Sequence, residues 1–138
     1  MPVRLIEPMD RALFDLAHAV DGRSTRAAET ASVDVAQAAL DLELPFRPPV
    51  EIDIARFGLW TRQLIVDASA RDMGASSGDM ASLEITRDRF SNAIDPVALT
   101  TINRELLGIR EDQVDGKLGA VVHAAETLVR DASDLRAT

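Results

Sequence analysis

The sequence predicts an all-α protein, an irregular bundle of five or six helices around a central helix at about residues 51–73, with at most one short β-ribbon. Three observations carry that expectation. Glu51 to Met73, wound at 3.6 residues per turn, is apolar over most of its circumference, with Ile54, Phe57, Leu64, Ile65 and Ala68 set against one narrow polar stripe. The tail repeats Val114, Leu118, Val121, Ala125, Leu128, Ala132 and Leu135 at alternating steps of four and three. Glycine and proline fall between these stretches at helix-length intervals, at Gly22, Pro45 to Pro49, Gly74 to Gly78, Pro96 and Gly108.

Taken in order, residues 1–7 read as extended, and a first helix begins near Pro8, where a missing N–H does no harm. Its seam is Met9, Leu13, Leu16 and Val20, and Gly22 stops it. Ser24 or Thr25 caps a second helix that runs to about Glu43, with the mostly small residues Ala28, Ala31, Val35, Ala38 and Leu42 turned inward. The prolines from Pro45 to Pro49 make a stiff connector into the central helix. Val50, Ile52 and Ile54 also alternate with acids, so a ribbon with Val3 to Ile6 is the one strand pairing on offer.

After the central helix, GASSG at Gly74 to Gly78 reads as a loop, and Asp79 as the cap of a helix carrying Met80, Leu83, Phe90 and Ile94 inward. Asp95 and Pro96 open the next helix, whose Leu99, Ile102 and Leu106 run to Gly108. The last helix holds the long four-three seam and must pack along another helix, within the bundle or across a dimer.

Bulk composition narrows the functional classes. A chain of 138 residues forms one helical domain, residues 1–138, large enough to bury about two thirds of its unfolded surface without staples. Cysteine is absent, which excludes disulfides and thiol chemistry. The start MPVRLIEPMDR has no apolar core suited to a signal peptide and no run approaches a membrane span, so a cytoplasmic protein with no membrane association is expected. A net charge of -8 argues against direct nucleic-acid binding, which needs concentrated positive charge. From Glu29 to Asp53 six carboxylates face Arg47 alone, so a charged partner should be basic, with Asp34, Asp41 and Glu43 as the acidic face.

Motifs for chemistry are weak throughout. The GASSG stretch lacks the GxxxxGK[ST] spacing of a phosphate cradle. Leu99 to Gly108 followed by Val114 to Ala125 has a helix-turn-helix outline, but Glu111, Asp112 and Asp115 would meet phosphates of the same sign. His18 lies between Asp15 and Asp21 at steps of three, and His123 precedes Glu126 by three. Neither matches the inward Glu-x-x-His pattern of metal-carboxylate bundles. Asp53 to Arg56, Asp67 to Arg71 and Glu84 to Arg87 have the spacing of ion pairs along one helix.

No catalytic, cofactor-binding or metal-ligating residue is assigned. Trp60 shares the polar stripe of Asp53, Arg56, Gln63, Asp67 and Arg71, where cover by its own fold and use as an interface anchor are both open. The expected function is a non-enzymatic interaction subunit, an adaptor or structural component of a larger assembly. Its partner is a protein, including a second copy, gripped through Trp60, Val114, Leu118, Val121, Leu128 and Leu135. The alternative is an acidic neutralising protein, antitoxin-like or mimicking nucleic acid, that occupies a basic partner. A small helical ligand-binding domain or enzyme ranks third. The first expectation requires that no hollow join His18 or His123 to acidic or guanidinium groups.

Overall fold

The computed structural model describes residues 3–22 and 24–138, and every regular element among them is helical. The order is α1 (Val3–Asp21), α2 (Thr25–Glu43), α3 (Pro49–Ser69), α4 (Met73–Phe90), a 3-10 turn (Ser91–Ala93), α5 (Pro96–Val114) and α6 (Leu118–Ser133). The optional ribbon is not formed, since both of its segments lie in α1 and α3. Pro49 occupies the first turn of α3, where its fixed φ favours the helix over the alternating strand. Residues 3–7, expected to be extended, are helical, and Pro8 sits inside α1 rather than at its start.

Local chemistry sets the ends. Ser24, Asp72 and Asp95 each accept the backbone N–H three residues on, at 3.3, 3.0 and 3.0 Å, and so cap α2, α4 and α5. The expected GASSG loop is instead the first turns of α4, because Asp72 rather than Asp79 is the cap. Helix α3 ends in a pair of backbone bonds, Arg71 N to Ala68 O (3.0 Å) and Asp72 N to Asp67 O (2.9 Å). Helix α5 ends identically, through Gly116 N to Gln113 O (3.0 Å) and Lys117 N to Asp112 O (2.8 Å). This motif requires a left-handed residue, supplied by Gly116 at φ 71 and, with strain, by Arg71 at φ 60. Helix α5 therefore continues through Gly108 to Val114, and α6 starts only at Leu118.

Helices α3 to α6 share one apolar core. Phe57 and Leu64 of α3 meet Met80, Leu83 and Phe90 of α4, Ile102, Leu106 and Ile109 of α5, and the inner face of α6. Phe57 and Phe90 meet edge to face, with centroids 5.4 Å apart. Helix α3 is the middle of the structure, bounded by α2, α4 and α6. Helix α2 lies across α3, and α1 packs along α2, where Ala12 and Ala19 are buried seven residues apart.

The seam expected to serve as an interface is used inside the chain. Leu118, Val121, Leu128 and Leu135 are all core residues of this one molecule, packed against α3 and α5. Val114 belongs to the end of α5 and is 77% exposed.

The two helix ends make a matched test of backbone strain. Gly116→Ala should cost about 1 kcal/mol, because the added Cβ meets nothing closer than Met73 Cε at 3.7 Å and only the backbone resists. Arg71→Gly should stabilise by up to about 1 kcal/mol. Urea midpoints at constant slope measure both. A stabilising Gly116→Ala would contradict the left-handed assignment.

Candidate functional site

The polar stripe of α3 does not face water; most of it is roofed by α2. Asp67 and Gln63 are 6% and 7% exposed. Arg26 of α2 donates to Asp67 Oδ1 at 3.0 Å and to Asp72 Oδ2 at 2.9 Å, so one guanidinium joins α2 to both sides of the α3–α4 turn. Gln63 Nε2 donates to Thr30 Oγ1 and to Asp67 Oδ2, each at 3.1 Å. Farther along, Arg56 donates to Asp41 and, at 2.8 Å, to Gln37 Oε1.

The pairings expected along single helices are replaced by pairings between helices. Arg56 takes Asp41, Asp67 takes Arg26, and Glu84 takes Arg110. Helices flanking α3 and α4 put oppositely charged groups within reach, and bridging two elements satisfies more buried lone pairs than a local pair can. Trp60 is half-buried, packed in part against the core of its own chain.

Beneath this seam lies a carboxyl pair. Asp79 of α4 is 6% exposed and within hydrogen-bonding reach of Asp67. Burial, followed by the neighbouring Asp67 carboxylate, pushes the Asp79 carboxyl up to about 8, so Asp79 is largely protonated at neutral pH. Ser76, one turn before Asp79, is fully buried, and its Oγ has no protein partner. A second pair joins α5 to α6, where burial and then Asp131 push Glu105 up to about 7. Spacing carries a signal that the apolar reading passes over: Ser76, Asp79, Leu83, Thr86 and Phe90 form a three-four seam with two polar members at its start.

Two larger hollows flank α2. One, of about 780 Å³, lies between α2, α3 and the end of α6 over Ala36, Ala39, Ala55, Gly58 and Val129, with Arg62 among its lining residues. The other, of about 640 Å³, is open to solvent between α1, α2 and α3 and brings His18 together with Asp15, Asp34, Arg26 and Asp67. A hollow joining His18 to acids and a guanidinium therefore exists, against the expectation that the apolar ridges leave no room for one. It is a surface groove, however, in which Arg26 is held by two carboxylates and Ser24 caps α2.

The expected acidic face is divided. Asp41 is paired with Arg56 and Glu43 with Arg47, whereas Asp34 is exposed and makes no ion pair among the described residues. Partial burial and, secondarily, the nearby Asp15 charge raise the Asp34 carboxyl. His123 and Glu126 are exposed on α6. Among the described residues no cluster of three or more His, Asp or Glu side chains is placed to hold a metal ion.

The least finished surface is on α1. The expected inward seam of Met9, Leu13, Leu16 and Val20 is split, because Ala12 and Ala19 take the contact with α2. Leu13 is 47%, Phe14 70% and Val20 58% exposed, with Ile6 at 39%. Alanine packs closest, so the smaller residues set the line of contact and the larger ones on the wide apolar arc are left outside.

Comparison with family models, with curated proteins and with solved structures finds no match to this chain. Its function must be read from its own surfaces.

A carboxyl raised by folding contributes stability that is fully present below its unfolded value and lost as pH rises through its folded value. For Asp79 the window runs from about 4 to about 8, and Glu105 acts with the same sign up to about 7. Unfolding free energy should fall by several kcal/mol between about pH 5 and about pH 8, most of it from Asp79. Asp79→Asn, which keeps a donor toward Asp67, should flatten that slope. Equal pH slopes for the two proteins in denaturant titrations would contradict the raised Asp79 carboxyl.

Proposed function

We propose that the protein is a non-enzymatic helical interaction module that holds a protein partner on the outer face of the α1–α2 hairpin and serves as an adaptor or structural component. The observation that carries this is α1 itself. Among the described residues it packs chiefly along α2, and it turns Ile6, Leu13 and Val20, spaced seven residues apart, to solvent together with Phe14. A row of large apolar side chains at heptad spacing is what a helix presents to a second helix, and contiguous exposed apolar surface of this kind marks interaction sites.

The docking face thus shifts from the α6 seam of Leu118, Val121, Leu128 and Leu135, which the core occupies, to α1. The hollows favour binding over catalysis as well. Near His18 the Ser24 and Thr30 hydroxyls each accept a hydrogen bond from elsewhere and Arg26 is held by two carboxylates, and among the described residues no hydroxyl is hydrogen-bonded to His18 as acyl or phosphoryl transfer would need. No helix among the described residues is long and apolar enough to cross a membrane, and the acids beside the α1 stripe suit a protein partner better than an anionic lipid surface.

The double substitution Leu13→Ser with Phe14→Ser tests this role. Both sites are exposed, so unfolding free energy should stay within about 0.5 kcal/mol of the parent. Recovery of whatever co-purifies with the parent chain from its own cells should be lost. Unchanged recovery would remove α1 from the function.

A further inference from the structure

The chemistry of the partner follows from what surrounds the apolar stripe. Asp10 lies between Ile6 and Leu13 at steps of four and three, Asp21 follows Val20, and Glu7 is one turn before Asp10; all three are exposed. The two cations of α1, Arg4 and Arg11, sit seven residues apart and fall on the far side of the helix when the stripe is viewed end on. On α2 the half-buried Ala28, Val35 and Leu42 are also seven apart and flank the α1 contact on the side away from Asp34 and Asp41. The outer face of the hairpin is therefore an exposed apolar stripe bordered along α1 by a row of acids.

Charge across the whole hairpin has the same sign. From Arg4 to Glu43 there are eight carboxylates and four arginines, and Arg26 is committed to Asp67 and Asp72. A second copy would bring Asp10 and Asp21 of each chain toward those of the other, in a protein of net charge -8. Like charges at the margin of an apolar contact oppose that pairing, whereas Lys or Arg flanking an apolar face is favoured by it.

Resting on the interaction role of α1, we infer that the occupant of this face is a basic amphipathic helix of another protein, apolar along one face and lined with Lys or Arg beside it. Leu13 and Phe14 take its apolar face, and Asp10, Asp21 and Glu7 take its cations. Association is steered by the acidic hairpin and weakens with salt.

Two synthetic helical peptides of about 20 residues test this, sharing one heptad pattern of leucines but flanked by lysine in one and glutamate in the other. Fluorescence anisotropy against the full chain should show the lysine peptide binding at least about tenfold more tightly, with affinity falling about tenfold or more from about 50 to about 500 mM NaCl. Asp10→Lys combined with Asp21→Lys should reverse the preference, and Leu13→Ser with Phe14→Ser should abolish binding of both peptides, while circular dichroism melts of all variants match the parent. Equal affinity for the two peptides, or a dimer of the chain that Leu13→Ser disrupts, would overturn the basic partner and leave the interaction role standing. Failure of both peptides to bind, with the chain monomeric, would overturn both.

Discussion

The arrangement depends on one buried carboxylate. Asp67 lies on the central helix where α2 and the start of α4 close over it, and leaving it without partners would cost several kcal/mol. Arg26 and Gln63 supply those partners, and Arg26 can do so only if α2 crosses α3 at this level. That requirement places α2. Once α2 is fixed with Val33, Leu40 and Ala38 buried, the remaining inward side of α2 is lined by small residues, and α1 docks there through Ala12 and Ala19. The larger residues of α1 are then left over, and the exposed stripe is a consequence of how α2 is held.

The same carboxylate links the hairpin to the rest of the bundle through a proton. Asp79 faces Asp67 from α4, and while Asp79 is neutral it can donate to Asp67 as Arg26 and Gln63 do. Ionising Asp79 would set two negative charges together in a poorly solvated place, with Arg26 as the near cation. Stability and the attachment of α2 are thereby coupled at the α3–α4 turn. Glu105 and Asp131 repeat the arrangement between α5 and α6, at the other side of the bundle. Both pairs favour the folded chain as pH falls toward the ordinary carboxylate range.

Most of the helices are legible in the sequence because their signals are local. Ser24, Asp95 and Pro96 are caps that act on the next turn, and the α6 periodicity names its buried face unaided. Signals fail where a residue adopts a conformation its type does not advertise. Arg71 takes a left-handed backbone that usually calls for glycine, so spacing alone puts the end of α3 too late, while Gly74 and Gly78, which suggest a loop, lie inside α4. Gly116 is the converse case, a real turn hidden within an uninterrupted apolar repeat. Faces are harder still. A polar stripe such as Asp53 to Arg71 reads as solvent-exposed unless the partners that bury it, Arg26, Thr30 and Asp41, are known to lie opposite, and that is set by tertiary packing rather than by spacing. The candidate docking surface escapes the sequence for the same reason, since the seam of α1 is apolar as expected but only Met9 and Leu16 are half-buried beside Ala12 and Ala19, while Leu13 and Val20 face out.

If α1 is held chiefly by α2 and its outer face awaits a partner, its amides should open independently of the bundle. Native-state hydrogen exchange resolved by residue measures this directly. Amides of α1 should exchange through local opening at free energies well below the global value, while α3 and α6 exchange only with global unfolding. Protection of α1 equal to that of α3 in the monomeric chain would contradict the account.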